Sequence, residues 1–107
     1  VTRGEELLHL ADRLGQVERG GAGADLSLHL ALVLEGDVMP YTRCAELAWE
    51  LLPARYAWLP PIRSGERVYM ACRRADDGLL HRQWARTLPL AMCGALLRAH
   101  AALAAGS

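Results

Sequence analysis

Seven side chains in this 107-residue chain have the chemistry for nucleophilic catalysis or for binding a soft metal: Cys44, Cys72 and Cys93, with His9, His29, His81 and His100. A thiolate beside an imidazole is a nucleophile–base pair, and mixed Cys/His sets are zinc ligands. The spacing supports neither. No C-x-x-C, C-x-x-H, H-x-x-x-H or H-E-x-x-H occurs, and those are the spacings that bring such groups together locally. Each Cys falls on an apolar stripe, where it reads as a small buried hydrophobe. The expectation is therefore no catalytic residue, no cofactor site and no metal site. Three distant cysteines also give no disulfide framework, so reduced thiols are the simplest reading.

Other motifs fade in the same way. Asp76-Asp77-Gly78 is half of an acidic metal loop, but no carboxylate follows at calcium-loop spacing, so it reads as a turn. Gly20-Gly21-Ala22-Gly23 follows a helix and lacks the Lys or Ser/Thr of a phosphate loop.

What remains is a run of Arg and aromatic residues. Arg67, Arg73 and Arg74 flank one strand, and His81, Arg82, Trp84 and Arg86 share the next stretch. Such a cluster can stack on a base, hold a phosphate or dock on a partner, and these seven form the candidate interaction surface. An Arg-bearing strand edge is also a guard against edge-to-edge aggregation. Twelve acids balance twelve bases, every base is Arg, and the chain lacks Lys, Phe and Asn, with Ile62 its one isoleucine. G+C-rich coding produces that bias. The balanced charge makes nucleic acid the alternative partner and protein the first.

Positioning these residues requires a core, and 52% hydrophobic with 22% charged residues is the balance of an ordered globule. The length fits one domain, residues 1–107. Thr2-Arg3-Gly4-Glu5 has capping-box spacing and opens a helix with Leu7, Leu10, Ala11, Leu14 and Val17 on one face, closed by the glycine run. Asp25 can cap a second helix to Glu35. Strict Leu alternation there resembles a strand, but Leu and Ala favour helix, with Leu26, Leu30, Val33 and Leu34 as its stripe. After Pro40, Thr42 restarts a helix running to residue 52, with Cys44, Leu47, Ala48 and Leu51 on one face. Pro53 stops it.

Residues 55–59 form a short aromatic strand that Pro60-Pro61 keeps off the sheet interior. Ser64-Gly65-Glu66 turns into a strand over 67–74, where Val68, Met70 and Cys72 alternate with Tyr69, Ala71 and Arg73. Leu79 to Trp84 is a third short strand, with an ordered loop as its alternative. Thr87 caps a last helix with Pro89 in its first turn. That helix is apolar on nearly every side, as expected of the centre of a core or an oligomer seam. The fold class is α+β: a small antiparallel sheet of two to three strands packed against helices, α-β-α sandwich-like, in a single domain.

Two segments carry a resemblance. Pro40-Tyr41-Thr42-Arg43-Cys44-Ala45-Glu46-Leu47-Ala48-Trp49 and Thr87-Leu88-Pro89-Leu90-Ala91-Met92-Cys93-Gly94-Ala95-Leu96-Leu97, with Tyr56-Ala57-Trp58 between them, resemble the phage ABA sandwich domain family. Its members are small proteins of phages, prophages and their proteobacterial hosts. Thr87-Leu88-Pro89 is one residue wider than the family's Thr-Pro. The resemblance implies helices at both N-terminal segments and a phage or prophage setting; it implies no catalytic residue.

Function is therefore expected to be that of a non-enzymatic, phage- or prophage-derived accessory protein acting through protein–protein interaction, with a second copy a plausible partner. The alternative is a nucleic-acid-binding module using residues 67–86, and a Cys-based enzyme or redox sensor ranks last. Arg98 and His100 interrupt the last helix as a membrane span, no signal peptide is visible, and a cytoplasmic location is the default expectation.

Overall fold

The computed structural model describes residues 2–106. Helix α1 (Arg3–Leu14) begins with the N-cap half of the expected box: Thr2 Oγ1 accepts from the Glu5 amide at 3.2 Å, while Glu5 Oε1 accepts from the Thr2 hydroxyl, at 3.1 Å, rather than from its backbone N–H. It buries Leu7, Leu10, Ala11 and Leu14. Val17 lies beyond its end and is exposed.

Helix α2 (Ala22–Ala31) differs from the sequence reading at both ends and in its buried face. It starts at Ala22, so Asp25 lies inside the first turn instead of capping it. It stops at Ala31 because Val33 adopts φ 55°, with Val33 N bonded to Leu30 O at 3.2 Å and Leu34 N to His29 O at 3.0 Å. This is a Schellman ending, with valine where glycine is usual. The buried face is Asp25, Leu28, His29 and Leu32, whereas Leu26, Leu30 and Val33 face outward at 47%, 65% and 73% exposure. Only Leu34 of the expected stripe packs against the core.

Helix α3 is a short Ala45–Glu50 segment with Cys44 at its N-cap, not a helix from Thr42. Thr42 is withheld because its backbone N–H and hydroxyl are bound to Asp25. The sheet has four strands, one or two more than expected: β1 (Tyr56–Trp58), β2 (Ile62–Ser64), β3 (Arg67–Arg74) and β4 (Leu80–Ala85). β1 and β2 are one edge strand divided by Pro60-Pro61, pairing with opposite ends of β3; β4 pairs along its other side. Proline has no N–H for a ladder, which confines this pair to an edge. Gly65 at φ 61° makes the two-residue hairpin turn, a position where a Cβ is disfavoured.

Helix α4 (Leu88–Gly106) starts with Thr87 Oγ1 accepting from Leu90 N at 3.3 Å. Residues 90–97 are all buried, enclosed between the sheet on one side and α1 and α3 on the others. The helix without a polar face is thus covered within one chain. The stretch Leu88–Ala105 is long and apolar enough to cross a membrane, and more than half of it is buried inside the fold. Burying side chains such as Leu90, Met92, Leu96 and Leu97 contributes about 1.5–3 kcal/mol each.

Candidate interaction surfaces

The Pro40-Tyr41-Thr42-Arg43 segment is a strap that fastens α2 to the rest of the fold. Asp25 is 1% exposed and its carboxylate is saturated. Oδ1 accepts from Thr42 N at 2.8 Å and Thr42 Oγ1 at 2.6 Å, while Oδ2 accepts from Arg43 Nε at 3.0 Å and Nη2 at 2.7 Å. A buried carboxylate is tolerated only with such pairing. Thr42 Oγ1 also accepts from Gly21 N at 3.1 Å. Gly20 is held to glycine here, since a Cβ would lie 2.2 Å from the Thr42 carbonyl oxygen. One residue earlier, the Tyr41 hydroxyl meets His29 Nδ1 at 3.0 Å, and its carbonyl accepts from Cys93 Sγ at 3.4 Å. The sequence marked Asp25 only as a cap; its acidic type in a first turn is the one signal of this role.

The thiols are placed as packing groups. Burial pushes the Cys72 thiol up to about 11, and burial with the nearby Asp25 charge pushes Cys93 up to about 12. Cys44 is half-buried. A thiol held this high has little thiolate, the reactive form, near neutral pH. Among the described residues no group of three or more His, Cys, Asp or Glu could hold a metal ion. His9 is exposed, whereas His100 is half-buried: its Nε2 donates to the Leu51 carbonyl at 3.1 Å, and burial lowers its pKa.

The seven candidate surface residues do not form one patch. Register places opposed residues on the same side of the sheet, so the face against α4 carries Val68, Met70, Cys72, His81, Gln83 and Ala85. His81 belongs to that covered face, against Tyr56 with ring centroids 5.8 Å apart. Burial, with Arg74 nearby, lowers its pKa. Arg74 lies on the same face and clasps Asp77, holding that carboxyl well below its usual range. Arg67 donates to the Gly15 carbonyl at the end of α1 at 3.2 Å, and Arg86 pairs with Glu66 at 3.1 Å.

Arg73, Arg82 and Trp84 do share the opposite face, on which no helix packs. Ile62, Tyr69 and Trp84 form a row across three strands, Ile62 opposite Tyr69 and Tyr69 opposite Trp84. The Tyr69 and Trp84 rings are 5.1 Å apart and tilted by 56°. Leu80 stands opposite Arg73 and Arg82 opposite Ala71. Tyr69 was absent from the sequence cluster, although its alternation with Val68 and Met70 had put it on the Arg73 side.

Two clefts flank other elements. One of about 380 Å³ is lined by Glu46, Trp49, Glu50, Pro61, Met70 and Met92 among others. A shallower one of about 450 Å³ runs between α1 and α2, lined by Glu6, His9, Arg13 and Leu30 among others. Glu6 and Arg13 form no ion pair among the described residues. No protein-family model, curated protein or solved structure matches this chain.

Proposed function

We propose that this chain is a non-enzymatic accessory protein of phage or prophage type that works by protein association, with a second copy of itself as first partner. The observation that carries this reading is the outward stripe of α2. Leu26 and Leu30 lie one turn apart on α2 and Val33 follows just past its end, exposed at 47%, 65% and 73%, while the opposite face of the same helix is locked into the core through Asp25 and His29. Val33 holds its isopropyl group outward at φ 55°, a conformation that is strained for a β-branched residue.

A helix with two apolar faces needs two partners, and the fold supplies one. The cleft beside the stripe supports a second copy as the other. Glu6 and Arg13 lie one on each side of His9 along α1 and are of opposite sign, so two copies related by a two-fold axis can set each Glu6 against the other Arg13. The phage setting rests on the resemblance of the Pro40-Tyr41-Thr42 and Thr87-to-Leu97 segments. Leu30→Glu, exposed and remote from the core, should abolish the dimer in gel filtration with light scattering while leaving the circular dichroism spectrum unchanged. A variant that dimerises as wild type does would remove the stripe from the interface.

A further inference from the structure

The uncovered face of the sheet has a different chemistry from the α2 stripe. Its exposed side chains are Trp84, the aliphatic Ile62 and Leu80, and the cations Arg73 and Arg82, with the half-buried Tyr69 packed beside Trp84. No carboxylate lies at any strand position of this face. The nearest acids sit in turns and are already engaged: Glu66 with Arg86, Asp77 with Arg74 and Asp76 with Arg55. Among the described residues Arg73 and Arg82 form no ion pair. A zero net charge for the whole chain therefore conceals one locally cationic surface.

Charge complementarity decides the occupant. A second copy laid face to face would set one cationic face, without acids at its strand positions, against another, which repels. A duplex offers phosphates but keeps its base faces stacked inside, leaving the rings unused. Single-stranded nucleic acid offers both groups: flat bases for Tyr69 and Trp84, each worth stacking on without regard to sequence, and phosphates for the arginines. Along β4, Arg82 is two residues from Trp84 and so rises from the same face about 7 Å away. Arg73 continues the cationic line on β3. We propose that this face binds single-stranded nucleic acid, with bases stacked on Tyr69 and Trp84 and phosphates on Arg82 and Arg73. This activity is independent of association through α2.

The test is fluorescence polarisation of a short labelled oligo(dT) titrated with the full chain, with unlabelled duplex and polyglutamate as competitors. Saturable binding is expected. With two phosphate contacts it should weaken about sevenfold between about 50 and about 200 mM salt. Trp84→Ala should weaken it by about fivefold to a hundredfold. Arg82→Ala should weaken it and flatten the salt dependence. Both side chains are exposed, so retained circular dichroism is expected, and Arg73→Ala is the further variant if either one misfolds. Duplex and polyglutamate should compete poorly. No saturable binding at low salt, binding indifferent to Trp84→Ala, or equal competition by polyglutamate would each overturn the proposal.

Discussion

The Asp25 carboxylate accepts two hydrogen bonds from Thr42, at 2.8 Å from the amide and 2.6 Å from the hydroxyl, so an acid in α2 captures a residue that would otherwise have begun the next helix. Removing one partner of a buried charged network leaves the others unpaired. Asp25→Ala should cost about 3–5 kcal/mol. Thr42→Val, which keeps shape and removes the hydroxyl, should cost about 1–3 kcal/mol. Urea denaturation of the two single variants and the double variant checks this, and a double variant much less destabilised than the sum would confirm the coupling.

Acid should weaken the fold through two histidines. His100 is held below its ordinary value of 6.5 by burial, against an opposing pull from the Leu51 carbonyl; His81 is held below it by burial and by Arg74. With folded pKa values below the unfolded one, the unfolded chain takes up protons first as pH falls, so stability rises with pH in this range. The urea midpoint should decline as pH drops below about 6.5 and level off once pH is below both folded values. His100→Gln should reduce that decline.

Thiol reactivity should rank by burial. Cys44 should react with a disulfide reagent in the native state, whereas Cys72 and Cys93, pushed up to about 11 and about 12, should react only as fast as the protein opens. Mass spectrometry of the modified chain over time distinguishes them. Prompt native-state labelling of Cys93 would contradict the placement of α4.

Val33 should trade stability for association. Val33→Gly relieves a left-handed valine and should stabilise the monomer by about 1 kcal/mol, yet it removes an outward methyl pair from the stripe and should weaken the dimer. Thermal denaturation read beside light scattering separates the two effects. Improved stability with association intact would mean that Val33 serves neither surface.

The elements that were legible in the sequence are those closed by local chemistry. Thr2 and Glu5, Thr87 and Pro89, Gly65 and the alternation of Val68, Met70 and Cys72 each act within a few residues. The misreadings have long-range causes, except at the end of α2. The Leu26–Leu30–Val33–Leu34 periodicity is genuine, but which side of a helix with leucines on both faces turns inward is set by Asp25 reaching Thr42 and Arg43, residues 17 and 18 positions away. The helix end was misplaced because a valine holds the C′ position that glycine normally marks. The Arg cluster dispersed because strand register, which no single strand specifies, sent His81 and Arg74 to one face and joined Trp84 to Tyr69 on the other.

Charge exchange across the proposed two-fold contact is the most direct measurement of association through α1 and α2. In sedimentation velocity at micromolar concentration, wild type should dimerise, while Glu6→Arg and Arg13→Glu alone should each associate more weakly, since each sets like charges against each other. An equimolar mixture of the two variants, in which the new pairs are again of opposite sign, should restore the dimer. A monomeric wild type, or a mixture that associates no better than its components, would contradict the proposed interface.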